Sequence, residues 1–492
     1  MTTITVVSPS SGAELGEVTA HTAEDTRHAF DRARPAQRRW QATSVKERRK
    51  VLLKLHDLVL ERRDEILDLI QDETGKNRTS AFEEVMDVAI TARHCGYAAG
   101  RLLRPKRAKT SLPGLTRTRV EHDPVGVVGM ISPWNYPFSL TAGDAIAALA
   151  MGNAVVLKPD SQTPYTGLLV ADLLREAGLP ENVFQAVTGS GSVVGQEIVA
   201  QCDYLMFTGS TATGRMLGKQ AGERLIGYSA ELGGKNPMII ADDADLERTV
   251  PGARAACFSN SGQLCISIER LYVHRGIADE FIPAFVDSVA GMRIGGGHDW
   301  ETDMGSLISE EHCEHVAAMV DDAVAKGARV LTGGRRLTDL GPAFYAPTLL
   351  ADVPEDAELF REETFGPVVA IEVVDSLDEA VIKANDTRYG LNASVWANPV
   401  TGSKLASRLH AGTVNVNEGF AAAWSSVGAP MGGWKDSGVG RRHGDGGMLK
   451  YTEARTVAVQ HLMSISGNTV VDPDVFAKTV TAALKFGKRI LR

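Results

Sequence analysis

The sequence predicts an α/β protein with a doubly wound parallel sheet in one half and a second α/β region after it. Three observations predict this. From residue 125, short apolar runs at 125–131, 154–157, 183–187, 204–207 and 237–241 are separated by helical stretches. Strands that alternate with helices imply a parallel sheet covered on both faces, with its ligand site at the carboxyl ends of the strands. A second alternating region spans residues 236–433, with an amphipathic helix at 309–326 and a strand-like run at 367–374. Finally, 492 residues exceed what one hydrophobic core holds, so two or three cores are expected.

Ahead of the sheets, Val51, Leu52, Leu55, Leu58, Val59, Ile66, Leu67 and Ile70 recur mostly at three- and four-residue spacing with charges between them. That pattern predicts one amphipathic helix over residues 45–75, closed by Gly75. The most apolar stretch, residues 140–157, is interrupted by Asp144 and Asn153 and reads as a buried helix and strand rather than a membrane span. The tail at 475–491 mixes Val475, Phe476, Val480, Leu484, Ile490 and Leu491 with Lys478, Lys485, Lys488 and Arg489. An amphipathic basic helix there would either touch an anionic membrane or, as expected here, dock on a neighbouring subunit or fray.

A net charge of −9 argues against a nucleic-acid partner, which would require a basic face. The start, Met1-Thr-Thr-Ile-Thr, lacks the positive region and apolar core of a secretory signal, so a soluble, cytoplasmic protein is expected. Five unpatterned cysteines (Cys95, Cys202, Cys257, Cys265 and Cys313) suit a reducing compartment and argue against a disulfide framework.

The chemistry centres on Cys265 in Asn260-Ser-Gly-Gln-Leu-Cys265, with Glu231 upstream in Glu231-Leu-Gly-Gly-Lys235. A thiol attacking a carbonyl needs a group to manage protons and water, and a glutamate can do both. Five further segments keep a fixed order around the pair: Pro133-Trp-Asn-Tyr-Pro137, Lys158-Pro-Asp-Ser161, Phe207-Thr-Gly-Ser-Thr-Ala-Thr-Gly214, Glu362-Glu-Thr-Phe-Gly-Pro367 and Pro430-Met-Gly-Gly-Trp-Lys-Asp-Ser-Gly438. With these seven segments in order, the chain resembles the aldehyde dehydrogenase superfamily from near residue 8 to about residue 458.

The resemblance implies a Rossmann-type cofactor domain at residues 1–103 and 124–235 and an α/β catalytic domain at 236–433. It also implies an oligomerisation element from a hairpin at 104–123 and a returning segment at 446–462, whose strand is expected at 456–462, followed by a tail at 463–492. A homodimer or homotetramer is the corresponding expectation. By the same resemblance Cys265 is the nucleophile, the Asn135 amide with the cysteine N–H receives the oxyanion, and Glu231 activates water against the thioester. Gly233 and Gly234 after Glu231 would let backbone come close to the site.

For the cofactor, Gly209, Ser210 and Gly214 stand at a strand-to-helix junction able to hold a pyrophosphate at the helix amino terminus. Trp134 belongs to the same turn as Asn135. Glu363 resembles the nicotinamide-ribose ligand and Phe365 the residue beside the nicotinamide. Relatives that prefer NAD carry a glutamate where Ser161 stands here. A serine there, with Lys158, accommodates a 2′-phosphate, so NADP is expected, with NAD possible and Asp160 as the complication. His312 and His315 share a helix face but sit among charges with no further ligand motif, so a solvated face rather than a metal site is expected.

For the substrate, Ser229-Ala-Glu-Leu-Gly-Gly-Lys-Asn-Pro-Met, Asn260 to Arg270 and Gly440-Arg-Arg-His-Gly444 resemble the actinobacterial NADP-dependent succinate-semialdehyde dehydrogenases of the superfamily. Two arginines that bind the substrate carboxylate in well-known members of that class are replaced by Gly143 and Ser259. A pocket of Phe138, Phe258, Phe420 and Trp424 keeps an aromatic or medium-chain aldehyde open as the alternative. A coenzyme A-dependent acyl transferase would be expected to lack Glu231, and a non-catalytic scaffold would tolerate loss of Cys265.

Overall fold

The computed structural model describes residues 2–110, 116–461 and 471–488. Its chain divides into two compact units, residues 1–102 with 124–452, and residues 103–123 with 453–492. Both alternating regions fall in the first unit. Its six-stranded sheet runs, neighbour to neighbour, Gly438–Val439, Gly227–Glu231, Tyr204–Thr208, Val127–Ile131, Ala154–Lys158 and Phe184–Ala186. All pairs are parallel except the short edge Gly438–Val439, which is antiparallel and sets Gly438 opposite Glu231. Later strands are added on both sides of Val127–Ile131, so strand order reverses between Val127–Ile131 and Tyr204–Thr208. Such a switch point opens a crevice beyond the strand ends. The segments carrying Asn135 and Ser210 leave from those two strands.

The seven-stranded sheet has the order Arg329–Thr332, Thr348–Ala351, Val368–Val374, Ile268–His274, Asn236–Ile240, Asn392–Trp396 and Thr413–Val416, parallel except for its first pair. Side chains alternate between its faces, as a strand requires. Met238 and Ile240 enter one core with Phe258, Phe281 and Phe285, while Ile239 and Ala241 enter another with Val374 and Val395.

The single helix expected over residues 45–75 is two helices, Val45–Glu61 and Arg63–Thr74. Apolar spacing continues from Val59 to Ile66, so periodicity does not mark the break. It comes at Arg62, which leaves helical geometry (φ −96°, ψ 21°) and pairs with Glu176 at 2.8 Å. Gly75 closes the second helix in the left-handed conformation, φ 69°, a role that favours glycine. The apolar stretch resolves into the helix Pro137–Ala150 and the strand Ala154–Lys158. Leu140 and Gly143 are the helix residues that keep partial exposure.

In the other unit a three-stranded sheet has the order Thr452–Gln460, Thr116–Pro124, Lys106–Ala108. Leu462, the end of the expected returning strand, lies outside the described residues. The helix Pro473–Gly487 leaves Val475, Leu484 and Phe486 exposed, and residues 489–491 of the basic stretch also lie outside the described residues. No described helix is long and apolar enough to cross a membrane.

Candidate active site

Cys265 follows a turn that the backbone adopts only under constraint. After the helix Leu246–Phe258, Asn260 (φ 50°), Ser261 (φ 56°) and Gly262 (φ 72°) are left-handed in succession. Non-glycine residues in that region cost about 1–3 kcal/mol each and persist only when their surroundings over-determine them. Here they do. The Asn260 N–H donates to Ser80 Oγ at 3.0 Å, Ser261 Oγ donates to the Gly305 carbonyl at 3.0 Å, and Gln263 Oε1 accepts from the Ile308 N–H at 2.8 Å. A Cβ on Gly262 would lie 2.1 Å from the Gly366 carbonyl oxygen, so only glycine closes the turn. Of the five cysteines, four are buried and Cys265 is half-buried.

The turn Pro133–Tyr136 meets this one directly. Asn135 Nδ2 donates to the Gln263 carbonyl at 3.0 Å, leaving its second amide hydrogen uncommitted. The Asn135 carbonyl accepts from Asn260 Nδ2 at 3.0 Å and from Lys76 Nζ at 2.6 Å. The amide is thereby held beside the residues that precede the thiol.

Two carboxylates flank Cys265. Glu231, the last residue of its strand, is buried, and burial raises it to about 7 against the opposing charges of Arg442 and Lys450. Glu363 is raised to about 8 by burial and accepts the Gly234 N–H at 2.8 Å. Burial pushes the Cys265 thiol up to about 12; Glu363 and Glu231 add to the rise and Arg442 opposes it. Gly233 and Gly234 thread this space as expected: a Cβ on Gly233 would lie 2.3 Å from Glu363 Oε2, and one on Gly234 would lie 2.6 Å from the Cys265 carbonyl oxygen.

Sequence reading missed the charges behind these groups. Arg442 pairs with buried Asp144 and donates to Thr208 Oγ1 at 3.1 Å, and Lys450 approaches Asp144 at 3.6 Å. Asp144 carried a signal, because a carboxylate inside an apolar run must find a buried cation. Lys235 and Glu269 form a second buried pair at 2.6 Å. Glu269 accepts the N–H groups of Thr364 and Phe365, fixing Phe365 at φ 52°.

Among the residues expected to hold the cofactor, Trp134 meets Phe365 edge-on at 5.5 Å and also His312 at 5.8 Å. His312 is therefore not on a solvated face. Its Nε2 lies 2.8 Å from the Phe365 carbonyl oxygen, and burial lowers its pKa. The helical spacing was right, but packing of the 362–367 loop over the helix covers the ring.

Ser210 caps the helix Thr211–Arg224 by accepting the Thr213 N–H at 3.3 Å and is itself exposed. The Gly209 N–H donates to the Glu231 carbonyl at 3.1 Å. Gly214 serves packing: a Cβ there would lie 2.5 Å from Leu232 Cδ2. Lys158 is buried with Nζ on the Pro159 carbonyl at 3.0 Å, and Ser161 Oγ donates to the Gly189 carbonyl at 3.2 Å. Asp160 accepts the Gln162 N–H at 3.0 Å within its own turn. A Cβ on nearby Gly191 would meet open space. An exposed helix amino terminus, a small hydroxyl and an open edge fit a phosphorylated dinucleotide.

The four aromatic residues expected around the substrate divide. Phe420 and Trp424 cluster with Tyr136, Leu140 and Cys265, and Tyr136 meets Trp424 edge-on at 5.6 Å. Phe138 is wholly enclosed, and Phe258 lies in the core under the seven-stranded sheet. Neither joins the apolar cluster against which Cys265 packs, where Tyr136 and Leu140 stand instead. Gly143 lines a cavity of about 20 Å³ with His94, Trp424, Arg442 and His443. A space of that size holds about one water.

The Aldehyde dehydrogenase family profile matches residues 1–457. The chain belongs to the aldehyde dehydrogenase family. It is 54% identical over 476 residues to a Mycolicibacterium smegmatis protein named as an NADP(+)-dependent succinate-semialdehyde dehydrogenase, covering 96% of this chain and 92% of that one. It is 52% identical over 471 residues to a Mycobacterium tuberculosis protein named in the same way, covering 96% and 91%. Among solved structures, an NADP-dependent enzyme of E. coli superposes with a TM-score of 0.90 at 36% identity, covering 94% of this chain and 95% of that one. The NAD+ complex of a Bacillus cereus aldehyde dehydrogenase gives 0.89 at 35% identity, covering 94% of each chain. The family accounts for the site's order along the chain.

Proposed function

We propose that the protein oxidises an aldehyde to the carboxylic acid with NADP, and that succinic semialdehyde is the aldehyde. The observation that carries the chemistry is a half-buried cysteine beside a turn whose asparagine amide keeps a free hydrogen, with a carboxyl group at about 7 in electrostatic reach. The substrate rests on the 52–54% identity to relatives named for it.

At neutral pH the Cys265 thiol is protonated, and Glu231, partly ionised there, is the base that takes its proton. The thiolate attacks the aldehyde carbon, a C–S bond forms, and the carbonyl π pair moves to oxygen. Asn135 Nδ2 and the Cys265 N–H donate to that oxyanion. What NADP would supply when bound is acceptance of a hydride, the hydrogen and electron pair of the thiohemiacetal C–H bond, so that the oxyanion re-forms a C=O bond and a thioester is left on Cys265. Glu231 passes the proton it took from Cys265 to solvent and, ionised again, deprotonates a water that attacks the thioester carbon. The tetrahedral species expels the thiolate and releases the acid, and Cys265 recovers its proton.

For NADP, Ser210 and the first amides of its helix would hold the pyrophosphate, Glu363 the nicotinamide ribose, and Trp134 and Phe365 the ring. Ser161 and Lys158 would face the 2′-phosphate. In this reading residues 1–103 with 124–235 form the cofactor domain and 236–433 the catalytic domain. Residues 104–123 and 446–462 make the contacts of a cytoplasmic homodimer or homotetramer.

A second reading, an uncharged aromatic or medium-chain aldehyde, is supported by the wall of Tyr136, Phe420 and Trp424 and by Gly143 and Ser259 in place of arginines. Initial rates with NADP and NAD, each given succinic semialdehyde, hexanal and benzaldehyde, test both. The highest kcat/KM for succinic semialdehyde with NADP is expected. A preference for hexanal or benzaldehyde would replace the substrate while leaving the chemistry in place.

A further inference from the structure

The helix Pro137–Ala150 begins with a problem. Its amino-terminal N–H groups have no partner inside the helix, and Tyr136 at its cap offers no side-chain acceptor. The acceptor comes from another helix. Glu84, on Arg78–Leu102, takes the Phe138 N–H at 2.8 Å and the Ser139 N–H at 3.0 Å on one oxygen, and Lys76 Nζ at 2.6 Å on the other. Both side chains are fully buried. Lys76 does three things at once: it neutralises Glu84, donates to the Asn135 carbonyl at 2.6 Å, and lies over the Tyr136 ring at 4.0 Å. Tyr136 is tied further through its hydroxyl, which donates to Glu83 at 2.9 Å.

A buried ion pair is a poor means of stabilising a fold, since apolar residues of like volume often do as well. It is a good means of fixing one geometry. We infer that Lys76 and Glu84 are positioning residues of the reaction: together they fix the turn 135–139 so that the Asn135 amide is presented to the oxyanion on the Cys265 adduct. The inference rests on the proposed role of Asn135. Lys76 holds the carbonyl of that residue, Glu84 holds the amides just after it, and Asn260 Nδ2 links the same carbonyl to the cysteine turn by also donating to the Gln263 carbonyl at 3.0 Å. Movement of either partner would shift the amide relative to the thiol.

The test uses a reaction that needs the oxyanion donor and one that does not. Acylation of the full-length enzyme by p-nitrophenyl acetate passes through an oxyanion; alkylation of Cys265 by iodoacetamide does not. Lys76→Met is expected to slow acylation roughly 10- to 100-fold, as for a small misplacement of a reacting group, with the alkylation rate and the KM for NADP unchanged. On an Asn135→Ala background, Lys76→Met should cost nothing further, because residues that act through one group are non-additive.

Equal losses on both backgrounds, or alkylation falling in parallel with acylation, would overturn the inference. An Asn135→Ala enzyme that acylates normally would remove the oxyanion role itself, and the inference with it. If Lys76→Met does not fold, Lys76→Met/Glu84→Gln, which leaves no lone buried charge and keeps an acceptor for the two amides, takes its place in the cycle. Failure of both to fold would assign the pair to folding alone.

Discussion

The turn that holds Cys265 and the edge that would hold the dinucleotide are built in opposite ways. Around Cys265, three successive left-handed residues, a buried lysine–glutamate pair and the crossed bonds of Asn135, Asn260 and Gln263 leave little freedom. At the other edge Ser210 is exposed, Ser161 is half-exposed, and the contacts of the two serines are local: a helix cap, the Ser210 hydroxyl on that of Thr213, and a hydroxyl bond to a carbonyl. Bond making requires reacting atoms placed within a fraction of an ångström. Holding a phosphate requires a charge balance and free N–H groups, which exposed side chains supply and single substitutions change.

The comparison predicts steep losses in the centre and exchangeable preference at the edge. The largest effect is expected from Cys265→Ala, at least about 10⁴-fold in the rate of cofactor reduction, since a lost nucleophile is not replaced by binding. Residual turnover with aldehyde close to the parent rate would refute the covalent route. Next, Glu231→Gln should slow steady-state oxidation roughly 10²- to 10⁴-fold, the usual share of a general base.

In its proposed role Glu231 also sets a pH dependence. It works as a base only when ionised, so with its carboxyl near 7 the rate should fall as pH drops below 7 and level off above it. An inflection unchanged in Glu231→Gln would assign it elsewhere, with Glu363 at about 8 the next group to test. Asn135→Ala should cost about 10²- to 10³-fold in kcat, the range for one oxyanion donor. A purely positional role for Asn135 would instead appear in KM.

At the edge, Ser161→Glu should move the NADP-to-NAD preference by roughly 10- to 100-fold while kcat with the better cofactor holds, because one charged contact is gained or lost. Unchanged preference would place the 2′-phosphate away from Ser161. A kcat loss as large as those in the centre would erase the distinction between the two regions.

The same contrast separates what was legible in the sequence. Cys265, Glu231 and Asn135 stand out as candidates in the sequence because each lies in a short run whose backbone demands particular residues, as Gly262 and the Gly233-Gly234 pair show. Their supports do not stand out. Lys76 and Glu84 are eight residues apart, Lys235 and Glu269 are 34, and Arg442 and Asp144 are 298. No local pattern joins partners at such separations. Phe138 and Phe258 were misplaced for a related reason: composition marks a residue as aromatic, and only helix phase and docking decide which way it faces.

By itself, the sequence determined the alternation of strands and helices, the family and the residues proposed here to react. These depend on side-chain chemistry, apolar period and glycine spacing, all local properties of a chain. The tertiary structure alone decided the break at Arg62, the covering of His312, the Tyr136, Phe420 and Trp424 wall, and the buried ion pairs behind the two site turns. Burial and charge pairing arise only when distant segments exclude water together. The same exclusion raises Glu231 to about 7 and Cys265 to about 12, so the proton affinities on which the proposed chemistry depends belong to the packed state rather than to the motif.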